Sequence, residues 1–130
     1  MSSTRPKVIL VVEDDPQQRT LYARVLGMAG YQVLEAGNSS DALAQVHDHR
    51  PDLVLMDVTL PGPSGWNATR EIKSHPETHR IPVLVITGRV GFSDRDASFA
   101  SGSDAFLEKP VLPQRLLEEV ARLLEQQALG

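Results

Sequence analysis

Val8-Ile9-Leu10-Val11-Val12 is apolar at all five of its positions, and four of the five residues are β-branched. A strand with one wet face alternates apolar and polar residues. A strand apolar throughout has to be covered on both faces, as the central strands of parallel sheets are. Leu53-Val54-Leu55-Met56 and Val83-Leu84-Val85-Ile86 repeat this pattern, and Gln32 to Ala36 and Ala105 to Glu108 supply two further strand-like runs. Stretches of helical period separate them, which is the signature of βα units and of helices on both sides of a parallel sheet.

The connecting segments carry their own punctuation. Asp15 is placed to cap a helix that starts at Pro16, with Leu21, Val25, Met28 and Ala29 on one face and Gly30 as its end. Gly37-Asn38-Ser39 makes a turn and cap before a helix bearing Ala42, Leu43 and Val46, which Pro51 closes. Pro61-Gly62-Pro63-Ser64-Gly65 reads as a loop, followed by a short helix over about Trp66 to Ser74. Between Gly88 and Ser101 the pattern is weak, and Gly88 and Gly91 make the first part the expected mobile region. A last helix, with Leu112, Leu116, Val120, Leu123 and Leu124 at helical spacing and a charged outer face, runs to about Ala128. Five βα units result, without repeat or linker.

At 130 residues there is room for one domain, expected over 1–130 with its core at about 7–127 and no output domain. The net charge of −4 and the lack of any Lys/Arg block argue against direct nucleic-acid binding. No apolar run is long enough to span a bilayer, and there are no cysteines for a disulfide framework, a thiolate zinc site or a thiol nucleophile. A cytoplasmic setting without membrane association is expected.

In an open parallel sheet the functional site lies beyond the carboxyl ends of the strands. Glu13 and Asp14 follow the first strand, Asp57 ends the third, Thr87 ends the fourth and Lys109 follows the fifth. Three carboxylates gathered at one edge repel one another unless a cation sits among them. Oxygen donors alone favour Mg²⁺, or Mn²⁺, over zinc. A metal, an ammonium and a hydroxyl can together stabilise the oxygens of a phosphoryl group while Asp57 acts as nucleophile.

The segments ILVVEDDP, DLVLMDVTLPGPSG, VLVITG and GSDAFLEKP resemble the receiver domain of two-component response regulators, and the resemblance covers essentially the whole chain. It implies a flavodoxin-like (CheY-like) α/β three-layer sandwich: a five-stranded parallel sheet in order 2-1-3-4-5 with five helices. It also implies that Asp57 accepts a phosphoryl group from a histidine kinase or a histidine phosphotransfer protein, the domain catalysing its own phosphorylation and slow dephosphorylation rather than acting as a turnover enzyme. In that reading Asp14 is a direct Mg²⁺ ligand and Glu13 acts partly through water, with Asp57 and the backbone carbonyl of Thr59 completing the metal site. Thr87 and Phe106 are the switch pair, and Lys109, joined to Pro110 by a cis peptide, pairs with the phosphate. A stand-alone regulator acting on a downstream protein, as a monomer or weak phosphorylation-dependent dimer, is the expected form. Phe106 stands where many receivers have Tyr, Glu13 where Asp is frequent, and Pro63 stiffens the loop after the acceptor.

Three other readings remain at this stage: a receiver belonging to a larger regulator or hybrid kinase, a metal-dependent phosphohydrolase with an Asp nucleophile, and a degenerate receiver that only binds protein. Phosphohydrolases of that kind usually place the nucleophile after the first strand, whereas Asp57 follows the third. A degenerate receiver is expected to lack one of Asp57, Thr87 and Lys109, and all are present. Asp15 reads as a cap, and His47, His49, His75 and His79 lack metal-ligand spacing because Pro76 interrupts them.

Overall fold

The structure is a computed structural model that describes residues 5–58, 64–88 and 101–129. Five strands, β1 (Val8–Val12), β2 (Gln32–Ala36), β3 (Leu53–Asp57), β4 (Val83–Thr87) and β5 (Ala105–Glu108), form one parallel sheet in the order β2-β1-β3-β4-β5. Among the described residues there are four helices, not five: α1 (Pro16–Met28), α2 (Ser39–His49), α3 (Ser64–Ser74) and α4 (Pro113–Leu129). The fifth helix expected between Gly88 and Ser101, the mobile region expected there with Gly91, and Thr59 with residues 60–63 lie outside the described residues.

The side-chain period of two splits the strands between two apolar layers. Ile9, Val11, Leu53, Leu55, Leu84, Ile86 and Leu107 face α1 and α4, where Tyr22, Leu26, Leu116, Val120 and Leu123 meet them. Leu10, Val12, Val54, Met56, Val83 and Val85 face α2 and α3, which contribute Ala42, Val46, Ala68 and Ile72. β1, β3 and β4 are therefore dry on both sides, as their unbroken apolar runs require. Asp52 fixes the start of this register: its Oδ2 accepts from Val8 N at 2.7 Å and its own N–H donates to the Val8 carbonyl at 2.7 Å.

The helix ends follow local chemistry. Asp15 caps α1, its side chain accepting from Gln17 N at 3.0 Å, and Gly30 leaves the helix at φ 102°, a conformation glycine reaches without a Cβ penalty. Asn38 caps α2 by accepting from Asp41 N at 2.7 Å. Three expectations change. The buried face of α1 is Tyr22 and Leu26 with Val25 half-buried, while Leu21 and Met28 are 56% and 83% exposed. α3 begins at Ser64 rather than near Trp66, so Gly65 is helical. Leu112 precedes α4 and is exposed instead of packing with it.

Candidate functional site

The chain order reverses between β1 and β3, and the carboxyl ends of these two strands and of β4 and β5 gather the polar residues. Glu13 leaves β1 with its N–H bonded to the Ala36 carbonyl at 3.0 Å, and is 2% exposed. Asp57 is the last residue of β3, paired in register with Ile86, and is 1% exposed. Thr87 closes β4 and is buried. Lys109 N donates to the Thr87 carbonyl at 2.8 Å, which brings the loop after β5 over the end of β4, and the Lys109–Pro110 peptide is cis.

Lys109 extends its ammonium between the two buried carboxyls. Nζ lies 2.6 Å from Asp57 Oδ2 and 3.8 Å from Glu13 Oε1. Burial, and then the hydrogen bond and negative charge of neighbouring Asp57, push the Glu13 carboxyl up to about 8, against a smaller opposing pull from Lys109. The neighbouring Asp14, itself exposed, adds a smaller upward push on the Glu13 carboxyl. Burial likewise raises the Tyr22 phenol to about 12, with the charges of Asp57 and Glu13 adding to it. Phe106, on β5, is half-buried against the α2/α3 layer.

Sequence reasoning missed three residues that α1 brings to this edge. Arg19 Nη1 donates to the Glu13 carbonyl at 2.9 Å, and its Nε lies 3.4 Å from Glu35 Oε1. Gln18 Oε1 accepts from Lys109 Nζ at 2.9 Å. Tyr22 lies close enough to Asp57 and Glu13 for their charges to act on its phenol. Gln18, Tyr22 and Leu26 are spaced i, i+4, i+8 and share one helix face, so the spacing that identifies the buried face of α1 also identifies these neighbours.

The donor set is all oxygen, which suits a hard divalent cation. Among the described residues no three His, Asp or Glu side chains are grouped so as to hold a metal by themselves. That is compatible with Mg²⁺, which commonly keeps several waters and takes only one or two carboxylates. Two buried carboxyls, Glu13 and Asp57, with Asp14 exposed next to Glu13 in the chain, are the kind of acidic site such an ion offsets.

A family model, the response regulator receiver domain, matches residues 9–121. The chain is 35% identical over 116 residues to Protein PilH of Pseudomonas aeruginosa, covering 89% of this chain and 96% of PilH. It is also 35% identical over 124 residues to the phosphate regulon transcriptional regulatory protein PhoB of the same organism, covering 95% of this chain but only 54% of PhoB. A crystal structure of a CheY-like response regulator receiver domain protein from Methanospirillum hungatei superimposes with a TM-score of 0.87 at 29% identity, over 95% of this chain and 98% of that one. Family match, strand order and a flavodoxin-like sheet agree, and no helix among the described residues is long and apolar enough to cross a membrane. The chain belongs to the response regulator receiver domain family, the phosphoacceptor switches of two-component signalling.

Proposed function

We propose that Asp57 is the phosphoacceptor and that a histidine kinase or a histidine phosphotransfer protein is the donor. The observation that carries this reading is the buried Asp57 carboxylate at the end of the central strand β3, with the Lys109 ammonium 2.6 Å from its Oδ2. An Asp57 carboxylate oxygen attacks phosphorus, the bond from phosphorus to the donor nitrogen breaks, and that nitrogen keeps the electron pair. Charge then builds on the phosphoryl oxygens. Lys109 pairs with one of them and the Thr87 hydroxyl donates to another, so the chain's own contribution is placement and electrostatics.

Glu13, Asp14 and Asp57 would hold Mg²⁺, or Mn²⁺, together with the Thr59 carbonyl that lies outside the described residues. The ion supplies positive charge to the phosphoryl oxygens. Within the chain, Asp14 is the exposed and hence readily coordinating carboxylate, while buried Glu13 acts through water.

The domain catalyses its own phosphorylation and slow hydrolysis, and signals by a shift in population. Thr87 moves inward toward the phosphoryl group, and the Phe106 ring follows into the space it leaves. Phe106 has no phenol to hydrogen-bond, so its inward position rests on packing alone. The readout lies along the β4–β5 face, and at β5 and the segment after it a groove of about 790 Å³ is lined by Phe106, Val111, Leu112 and Arg115 among others. Its partner there is a downstream protein, and the form is a monomer or weak phosphorylation-dependent dimer. Incubation with acetyl phosphate and Mg²⁺ tests the core of this reading: wild type should acquire a hydroxylamine-sensitive acyl phosphate and Asp57→Asn should acquire none. Equal labelling of both would overturn it.

A further inference from the structure

We propose that Gln18 is a positioning residue for Lys109, an inference that rests on the reading of Asp57 as phosphoacceptor. An ammonium has three donors and no acceptor, and its stem is flexible, so it holds one position only if several acceptors surround it. Two of the groups around Lys109 Nζ are the carboxyls of Asp57 at 2.6 Å and Glu13 at 3.8 Å. Another is Gln18 Oε1 at 2.9 Å, contributed by a helix 91 residues away in sequence.

The Gln18 amide is itself anchored. Its Nε2 donates to Asp15 Oδ2 at 3.3 Å, and Asp15 Oδ1 accepts from Gln17 N at 3.0 Å as the cap of α1. Rotating the amide by half a turn would set its NH₂ against the ammonium and its oxygen against the Asp15 carboxylate, so charge fixes its orientation. Lys109 is thereby tied through one neutral group to the N-terminus of α1. Neutrality matters, because the site already holds Glu13, Asp14 and Asp57. A carboxylate at position 18 would draw the ammonium away from Asp57 and repel an incoming phosphodonor. An amide holds Nζ in place without competing for it as a charge.

The test uses the full chain and two readouts. The sequence contains three lysines, Lys7, Lys73 and Lys109. Brief acetylation with an N-hydroxysuccinimide ester, followed by mass spectrometry, therefore reports Lys109 against two internal controls and needs no phosphorylation. In Gln18→Leu, which keeps the size and removes the acceptor, Lys109 should react about fivefold faster, the equivalent of one net hydrogen bond. Lys7 and Lys73 should be unchanged. Acyl-phosphate formation from acetyl phosphate should slow by a similar, roughly fivefold factor in Gln18→Leu and in Gln18→Asn, whose amide is one methylene too short. Gln18→Glu should be slow as well, although it restores an acceptor.

If Lys109 reactivity is the same in wild type and Gln18→Leu, or if it rises while Asp57 is labelled at the wild-type rate, the positioning role is overturned. A rise in all three lysines would mark general loosening and overturn it too. If wild type acquires no label, or Asp57→Asn labels equally, the phosphoacceptor reading falls, and the lysine arm keeps that outcome distinct.

Discussion

Replacing glycine by alanine inside a helix ordinarily adds stability, by about 1 kcal/mol at a solvent-exposed interior site. Two helical glycines of this chain should respond with opposite signs. At Gly27, in α1, a Cβ would meet no heavy atom within 4 Å beyond its chain neighbours and the backbone of its own helix. At Gly65, in the first turn of α3, it would lie 2.9 Å from Val58 Cγ1 and 3.2 Å from Val58 Cα. Carbon atoms in good contact sit about 3.5 to 4.0 Å apart, so the second site lacks roughly half an ångström of space. The Val58 side chain can rotate, but its Cα cannot, so the chain on one side of the contact has to move. Overpacking of this kind costs typically ~1–3 kcal/mol. Set against the helix gain, Gly65→Ala should be destabilised by about 1 kcal/mol net, with a ceiling near 2. Gly27→Ala should gain up to ~1 kcal/mol, less if the last turn frays. Urea unfolding followed by far-UV circular dichroism reads both. With a slope of about 1–3 kcal/mol per molar, the two midpoints should separate by roughly 1 M. Val58 directly follows Asp57, so Gly65→Ala should also slow acyl-phosphate formation, which Gly27→Ala should leave unchanged. A Gly65→Ala variant as stable as Gly27→Ala, with unaltered slopes, would refute the steric argument.

Glu119 on α4 is buried, and the guanidinium of Arg122, aided by Arg115, holds its carboxyl below the usual range. A depressed folded-state value gives stability that is present above the unfolded carboxylate range and lost as pH falls through the folded value. Both arginines are about half exposed, so Glu119→Gln should remove at most ~1 kcal/mol of stability at neutral pH and flatten the urea midpoint against pH below about 5; an unchanged pH profile would refute the assignment. Asp104 Oδ2 accepts from Val83 N at 2.8 Å and from Lys73 Nζ at 2.8 Å, so Asp104→Ala strips the start of β4 of an acceptor and should cost about 1–3 kcal/mol in urea unfolding. Mg²⁺ should raise the melting temperature of wild type, by the equivalent of about 2.7 kcal/mol at a hundred times its dissociation constant. Asp14→Ala should weaken that response more than Glu13→Ala, and identical titrations of all three would remove the metal site.

Strands were legible because their code is short. Three unbroken apolar runs, with the mixed runs Gln32–Ala36 and Ala105–Glu108 beside them, leave few other ways to bury them, and the observed bounds of β1, β2 and β5 coincide with the runs read from the sequence. Helix phase was harder. In α1 both Leu21-Val25-Met28 and Tyr22-Val25-Leu26 satisfy a 3.6 period, and the larger aliphatics favour the wrong set. What decides is the sheet: Tyr22 and Leu26 enter the apolar layer that also holds Ile9 and Val11, and Leu21 and Met28 are left to solvent. The first turn of α3 was hidden by its own composition, because Ser64-Gly65 reads as a turn. Gly65 is in fact helical, at a place where the helix approaches Val58, just past β3, too closely for a side chain.

The same distinction divides the site. Glu13, Asp57, Thr87 and Lys109 sit at or just past strand ends, and in a parallel sheet all such ends lie along one edge whatever the helices do. Their meeting therefore follows from the run pattern alone. Gln18 belongs to a helix, and a helical side chain reaches that edge only in one rotational setting of the helix. Tyr22 and Leu26 fix that setting by entering the α1/α4 layer, and Gln18, one turn before Tyr22 on the same face, is carried to Lys109 as a consequence. Had α1 buried Leu21 and Met28 instead, it would be turned by roughly 100°, the angle between successive residues of a helix, and Gln18 would point away from the ammonium. The misjudged helix face and the overlooked site residue are thus one error, and any account of this site drawn from strand-end motifs alone leaves out a neutral group that helps hold its lysine.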